Sequence, residues 1–327
     1  YDERTGERGV VLVKYSDAIV QVAAMFSLAD LASKYAIVLE PSSWGYQDVR
    51  FLLYVGDDMD VVVLSPCRPD LEFIQSLRSN LVPIRLGAGD WVDPEAFRPS
   101  QTSTRTFDVV MVAGWSPVKR HALLFQTLAK LKKDFNRRLR VALVGYPQGW
   151  TRTTIEKLRD RYGITAEDCT LFDGIPHGAV ARIVADSRVS VLLSRREGAS
   201  KALYESLFCG TPVIVPRGHR GVNLDHITAE VGVLVDDSEL PATILQMLDG
   251  PATFRPREWA LANTGWVHST RRLNETLRDL ACRRGLPWTR DIVGKKNAPN
   301  LRYAEAWAYP RFEADYERLR EYLLPLD

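Results

Sequence analysis

Two carboxylates eight residues apart, Glu197 and Glu205, mark the stretch of this chain best suited to chemistry. They lie within residues 189–216, VSVLLSRREGASKALYESLFCGTPVIVP, which read as strand, loop, helix and strand. Residues 189–193 are a short apolar run of the kind that forms a strand buried on both faces. The polar loop Ser194-Arg195-Arg196-Glu197-Gly198 follows, and then a helix over about 199–209 with Leu203 and Leu207 on one face. Gly210 stops that helix, Pro212 blocks its return, and 213–215 form the next strand. A loop that leaves a buried parallel strand and enters a helix is an anion site, because free N–H groups and the helix dipole both favour phosphate there. Eight helical steps of about 100° return Glu205 to within roughly 80° of the Glu197 direction, about 12 Å along the axis. That spacing is too long for a shared proton or a metal ion, but it suits gripping two ends of an extended ligand. Geometry alone leaves a competing reading open, in which Glu205 is the solvated face of an amphipathic helix.

The elements around this unit alternate regularly. In residues 1–99, strands are expected at 10–13, 36–39, 61–64 and 82–86, with helices at 17–35 and 71–78. In residues 100–285, strands at 108–113, 140–144, 170–172, 189–193, 213–215 and 231–235 alternate with helices. This pattern predicts two α/β units with parallel sheets. Four strands are few where about six are usual, and the chain opens at Tyr1 rather than Met. The first unit is therefore expected to be small or truncated, with residues 1–8 frayed. A Ser/Thr-rich linker is expected at 100–106. Beyond residue 249 the chain reads as helical: 257–284 with a break near Gly265, then 311–324 carrying Phe312, Tyr316, Leu319 and Leu323. Five loops rich in glycine and basic residues each follow a strand of the second unit, among them Gly114 to Arg120 and Asp173 to His177. In a doubly wound sheet they share one edge and open into one crevice, which favours an anionic ligand.

The spacing Ser194, Glu197-Gly198, Glu205, Gly210, Pro212-Val213-Ile214 resembles the signature of retaining GT-B glycosyltransferases of glycosyltransferase family 4. The resemblance implies a GT-B fold: two Rossmann-like domains facing a central cleft. Residues 1–99 would be the acceptor side, 100–285 the nucleotide-sugar domain, and 286–327 a helical segment crossing back to the first domain. It also implies roles. Glu197 would meet the donor sugar, Glu205 the ribose hydroxyls, and Gly198, Ala199, Ser200 and Lys201 the diphosphate. The segment 84–99 is similar to the family's turn at the end of the first domain. Lys119, after Ser116-Pro117-Val118, falls on the Lys of the family's Arg/Lys pair, while Gly114 falls on the Arg. Arg120 or Lys201 is then expected to supply the second charge. Ile175, in Asp173-Gly174-Ile175-Pro176, would lie against the base.

These assignments imply a metal-independent transferase that moves a hexose from a nucleotide diphosphate sugar, UDP-linked by expectation, to an unidentified acceptor with retention. No cofactor is expected besides the donor, which acts as co-substrate. All five histidines lie at or beyond His121, so the first unit offers no catalytic histidine. Gly114 and this lack keep open a non-catalytic nucleotide-sugar-binding relative; a GT-B sugar-nucleotide epimerase is a third reading. Trp44, Tyr46, Gln47 and Asp48 could line an acceptor site, and Trp288, Trp307 and Tyr309 could border an acceptor groove.

Composition excludes several other classes. A net charge of +2 gives no general pull toward nucleic acid or anionic lipid. Four scattered cysteines lack metal-ligand spacing and read as reduced thiols, so a cytoplasmic location is expected. No apolar run approaches the roughly 18 residues a spanning helix needs, which leaves peripheral membrane contact open.

Overall fold

The structure, a computed structural model, describes residues 1–41, 49–102, 104–198, 200–250, 253–297 and 300–325. Ala199, Trp44, Tyr46, Gln47 and Asp48 lie outside the described residues.

Two parallel sheets form the frame. The first contains β1 (Gly9–Lys14), β2 (Tyr35–Glu40), β3 (Val61–Leu64) and β4 (Leu81–Ile84) in the order β1-β2-β3-β4. The second contains β5 (Phe107–Val112), β6 (Val141–Gly145), β7 (Cys169–Asp173), β8 (Ser187–Val191), β9 (Val213–Pro216) and β10 (Gly232–Val235). Its order is β10-β9-β8-β5-β6-β7, so the direction of winding reverses between β5 and β8. A short antiparallel hairpin, β11 (Lys295–Asn297) with β12 (Leu301–Tyr303), was not anticipated within 286–327. Three-residue strands carry too little alternation to be read from sequence.

The helices follow from the apolar pattern, with two corrections. The single helix expected at 17–35 is two: α1 (Ser16–Met25) and α2 (Leu28–Lys34), with Tyr35 already in β2. Phe26 is extended and bridges to Leu323, and Ser27 caps α2 by accepting from the Asp30 N–H. Residues 1–8 are tied down rather than frayed. The buried Glu7 carboxylate accepts from Thr289 and Arg290, and Arg8 pairs with Asp60 at 2.7 Å.

After α3 (Arg68–Ser76), which covers the first sheet, α4 (His121–Phe135), α5 (Arg152–Arg161) and α8 (Leu240–Asp249) cover one face of the second sheet. α6 (His177–Ala185), α7 (Lys201–Phe208) and α9 (Pro256–Asn263) cover the other. At Gly265, whose φ of +89° suits glycine, the chain crosses to the first sheet. There α10 (Trp266–Arg283) places Leu273 and Leu277 beside Trp91. α11 (Ala308–Arg318) follows, and Leu319 and Tyr322 beyond it pack on the first sheet's core, whereas Tyr316 and Leu323 of the expected stripe are exposed.

The two sheets are joined in two different ways. Asp90, buried, accepts hydrogen bonds from the Gly87 N–H at 2.8 Å and the Thr264 hydroxyl at 3.1 Å, while Ser269 donates to the Asp90 carbonyl. Asp225, half exposed, takes Arg85 at 2.5 Å and Arg68 at 3.3 Å. Removing a buried acceptor strands its donors, whereas water replaces an exposed ion pair. Asp90→Ala should therefore lower the unfolding free energy by about 3 kcal/mol and Asp225→Ala by less than about 1 kcal/mol. Urea denaturation of the two variants checks the ranking, and the reverse order would contradict it.

Candidate functional site

A doubly wound sheet opens a crevice where its strand order reverses. Here that point lies between β5 and β8, and the loops leaving those two strands bring Lys119 and Glu197 together. Lys119 Nζ donates to Glu197 Oε1 at 2.7 Å, and Ser194 Oγ donates to the same oxygen at 2.6 Å. His219 is buried and lies 3.4 Å from Ser194 Oγ; burial pulls its pKa down to about 4, so the ring is neutral at pH 7.

Backbone contacts hold this loop. The Glu197 N–H donates to the Arg220 carbonyl at 2.9 Å, and the Arg220 N–H donates to the Arg195 carbonyl at 2.9 Å. Gly221, with φ +105°, passes so close that a Cβ would overlap the Glu197 carbonyl oxygen. Only glycine meets both demands.

Lys119 does not open α4. It ends a 3₁₀ turn, Pro117–Lys119, and Arg120 follows in the left-handed region at φ +59° before α4 starts at His121. His121 is fully buried beside Trp150, and burial pulls its pKa down to about 4. The Arg120 guanidinium is engaged by the Asp237 carboxylate and donates to the Leu193 carbonyl at 3.1 Å. Arg195 shares the same carboxylate at 3.0 Å. Gly114 is buried, and a side chain there would meet the Gln148 amide.

The second carboxylate is reached differently from the helical expectation. α7 begins only at Lys201, so Glu197 lies in the loop ahead of the helix and the helical spacing applies from Lys201 to Glu205 alone. Glu205 is 3% exposed, which rules out the solvated-face reading. Among the described residues its Oε1 accepts no hydrogen bond; His177 Nε2 lies 3.6 Å away. Burial raises the Glu205 pKa to about 7, with Lys201 pulling the other way. Burial lowers the Lys201 pKa, offset in part by Glu205. Ser200 is the buried residue ahead of α7, and Gly198 is half-buried in the loop. Ile175 is half-buried two residues from His177, at the rim beyond β7. Ser116 is buried, and among the described residues its hydroxyl has no hydrogen-bond partner.

His219, in a loop that sequence reading places at the crevice edge with a structural role, joins the Ser194–Glu197 cluster from beyond β9. Two residues were missed by sequence reasoning. Lys14 and Glu40 end β1 and β2 as charges closing apolar runs, a signal that was available. Trp288, Trp307 and Tyr309 line a cavity of about 690 Å³ along β1, together with Trp91, Tyr303 and Lys295. Among the described residues, no three His, Cys, Asp or Glu side chains gather as metal ligands, and no helix is long and apolar enough to cross a membrane.

Comparison with known proteins gives the family and the fold. The sequence profile of the family described as Glycosyl transferases group 1 matches residues 92–258. The chain is 26% identical over 167 residues to the MMP alpha-(1->4)-mannosyltransferase of Mycolicibacterium hassiacum. That match covers 50% of this chain and 39% of the mannosyltransferase. Among solved structures it is similar to sucrose-phosphate synthase from Thermosynechococcus elongatus, with a TM-score of 0.64 at 19% identity over 84% of this chain and 74% of that one. It is also similar to Anabaena HepE in complex with UDP-glucose, with a TM-score of 0.63 at 15% identity over 82% and 78% of the two chains. The two-sheet architecture is thus the GT-B fold of these neighbours.

Glu205 generates a pH test. Its folded pKa, about 7, lies above the 4.5 usual for a glutamate, so between those values the folded state holds a proton that the unfolded state has released. Stability should fall as pH rises through that window, by on the order of 3 kcal/mol from this group. Glu205→Gln should remove that part of the slope. Urea denaturation of both chains at pH 4.5 and 7.5 measures the difference, and equal slopes would mean that Glu205 is ionised in the free protein.

Proposed function

The chain belongs to the glycosyl transferases group 1 family, and from that premise we propose that it moves a hexose from a UDP-sugar to a hydroxyl acceptor with retention at the anomeric carbon. The observation that carries the proposal is the Lys119–Glu197 pair at the switch point, with the buried carboxylate of Glu205 on the next helix and Lys201 within electrostatic reach of it. A nucleoside diphosphate sugar offers a complementary sequence of groups, with sugar hydroxyls for Glu197, a diphosphate for Lys119 and Lys201, and a ribose diol for Glu205.

In this reading, donor binding draws Lys119 from Glu197 toward the phosphates and leaves the carboxylate to accept from the sugar. The anomeric C–O bond breaks and negative charge grows on the leaving diphosphate. The two ammonium groups and the N–H groups at the start of α7 stabilise that charge more than they stabilise the ground state. The acceptor oxygen bonds to the anomeric carbon on the same face, and its proton passes to a phosphate oxygen of the leaving group. No protein base is needed, consistent with a first unit without histidine. Metal-independent transfer is part of the proposal.

So are the division into residues 1–99, 100–285 and 286–327, the base contact at Ile175, the diphosphate contacts at Gly114, Ser116, Gly198, Ala199 and Ser200, and a cytoplasmic setting. Arg120, turned to Asp237, is left out of the diphosphate set.

A ribose diol donating to Glu205 favours its ionised form. UDP binding near pH 7 should therefore release roughly half a proton, readable by calorimetry in buffers of different ionisation enthalpy. UDP should also raise the melting temperature of the wild type but not that of Glu205→Ala. Equal thermal shifts in both, with no proton release, would remove Glu205 from the ribose. UDP binding without turnover across an acceptor panel would favour a non-catalytic relative.

A further inference from the structure

We propose that Lys14, reaching over from the first sheet, contacts the leaving diphosphate, so that this group is gripped from both sheets; the inference rests on the transferase reading above. Lys14 ends β1 and Glu40 ends β2, side by side in register. The Glu40 carboxylate is fully buried and shared by two ammonium groups. Lys295 is paired with it directly, and Lys14 lies 3.5 Å from its Oε1. Lys14 Nζ also donates to Asn297 Oδ1 at 2.9 Å, and Asn297 in turn donates to the Ala88 carbonyl at 2.8 Å.

The turn Ala88–Trp91 presses on the start of α7, where a Cβ at Gly89 would meet the Ser200 carbonyl oxygen. Across that contact Lys14 and Glu40 both act electrostatically on Lys201, and behind Lys201 lies the Glu205 oxygen that accepts no hydrogen bond among the described residues. Asp90 also acts on Lys295, but its oxygens are held by the Gly87 N–H and the Thr264 hydroxyl.

Lys295 also lies over the Trp91 ring at 4.0 Å and Lys14 over the Tyr15 ring at 5.1 Å, which offsets part of the burial, but the set still holds two ammonium groups to one carboxylate, an excess that an anion would balance. The leaving diphosphate is such an anion, and its charge grows as the glycosidic bond breaks. On the second sheet Gly114 supplies no charge and Arg120 is held by Asp237, a carboxylate it shares with Arg195, so Lys119 and Lys201 are the ammonium groups beside the two glutamates. An anionic group on the acceptor would present the same oxygen chemistry, so the test uses ligands with no acceptor present.

UDP and uridine are titrated by calorimetry into wild type, Lys14→Met and Lys14→Arg. Lys14→Met should weaken UDP about tenfold or more and leave uridine unchanged, and Lys14→Arg should recover most of the loss. Thermal unfolding without ligand checks that each variant is folded. Should Lys14→Met fail to fold, Lys14→Gln, which keeps a donor for Asn297, carries the same expectation. UDP affinity unchanged in the Met or Gln variant would overturn the proposal while leaving the transferase reading intact. A wild type that binds neither UDP nor uridine would remove both.

Discussion

The site depends on one ion pair at one place in the sheet. Lys119 and Glu197 are 78 residues apart in the chain and 2.7 Å apart in space because β5 and β8 are neighbours at the reversal of strand order. Any side chains on the two loops leaving those strands would be near each other. These two can meet because the 3₁₀ turn stops α4 from starting early and because Gly221 lets the loop after β9 support the Glu197 backbone from behind. Pro117, left-handed Arg120 and Gly221 each cost conformational freedom or regular hydrogen bonding. Their common effect is to fix where one carboxylate points.

Charge burial is the second constraint. Glu205 and Lys295 are both buried, and burial drives each toward its neutral form, the first up to about 7 and the second down to about 8. An apolar core would be more stable at such positions. Both residues lie beside the junction of the sheets, and each has a partner of opposite charge: Lys201 for Glu205, Glu40 for Lys295. A protein that keeps ionisable groups half-neutralised in a buried seam has groups whose protonation responds strongly to any hydroxyl or phosphate entering it. The energetic penalty of the empty seam and the selectivity of the filled one thus have the same origin.

The second unit was more legible in the sequence than the first. The strands of both units fall within a residue or two of the expected bounds, and the second unit's helices do so as well, including α7, whereas the first unit's 17–35 helix is broken in two. The α1–α2 break had a local signal, Ser27 as an N-cap with Asp30 three residues on, that was overlooked; its position is fixed by Phe26 and Ser27 meeting Leu323 and Tyr322 from the far end of the chain. The β11–β12 hairpin is similar, since its strands are ordered by tertiary contacts such as Asn297 on Ala88. For the site, Glu197 and Glu205 were found because local spacing carries them. The direction of Arg120 was not, because it depends on Asp237, 117 residues away. Lys14 and Glu40 were overlooked because a charge at a strand end resembles ordinary strand termination until the opposing sheet is in place.

The two sheets are unequal partners, and topology says why. The first runs β1-β2-β3-β4 without reversal among the described residues, so it has no switch point there. What it presents toward the second sheet is the carboxyl ends of its strands: Lys14, Glu40 and, past β4, the turn around Asp90. A sheet without a switch point can still contribute side chains that reach into its neighbour's crevice. The exposed Arg85–Asp225 pair is weak enough to open, while the Asp90 network is buried and satisfied. If the sheets part, they should part on the Asp225 side and pivot near Asp90, where α9 passes into α10 at Gly265. Such a hinge would bring Lys14 and Lys201 together or apart with little change in either sheet, so the same joint that holds the fold together would set how tightly an anion between them is held.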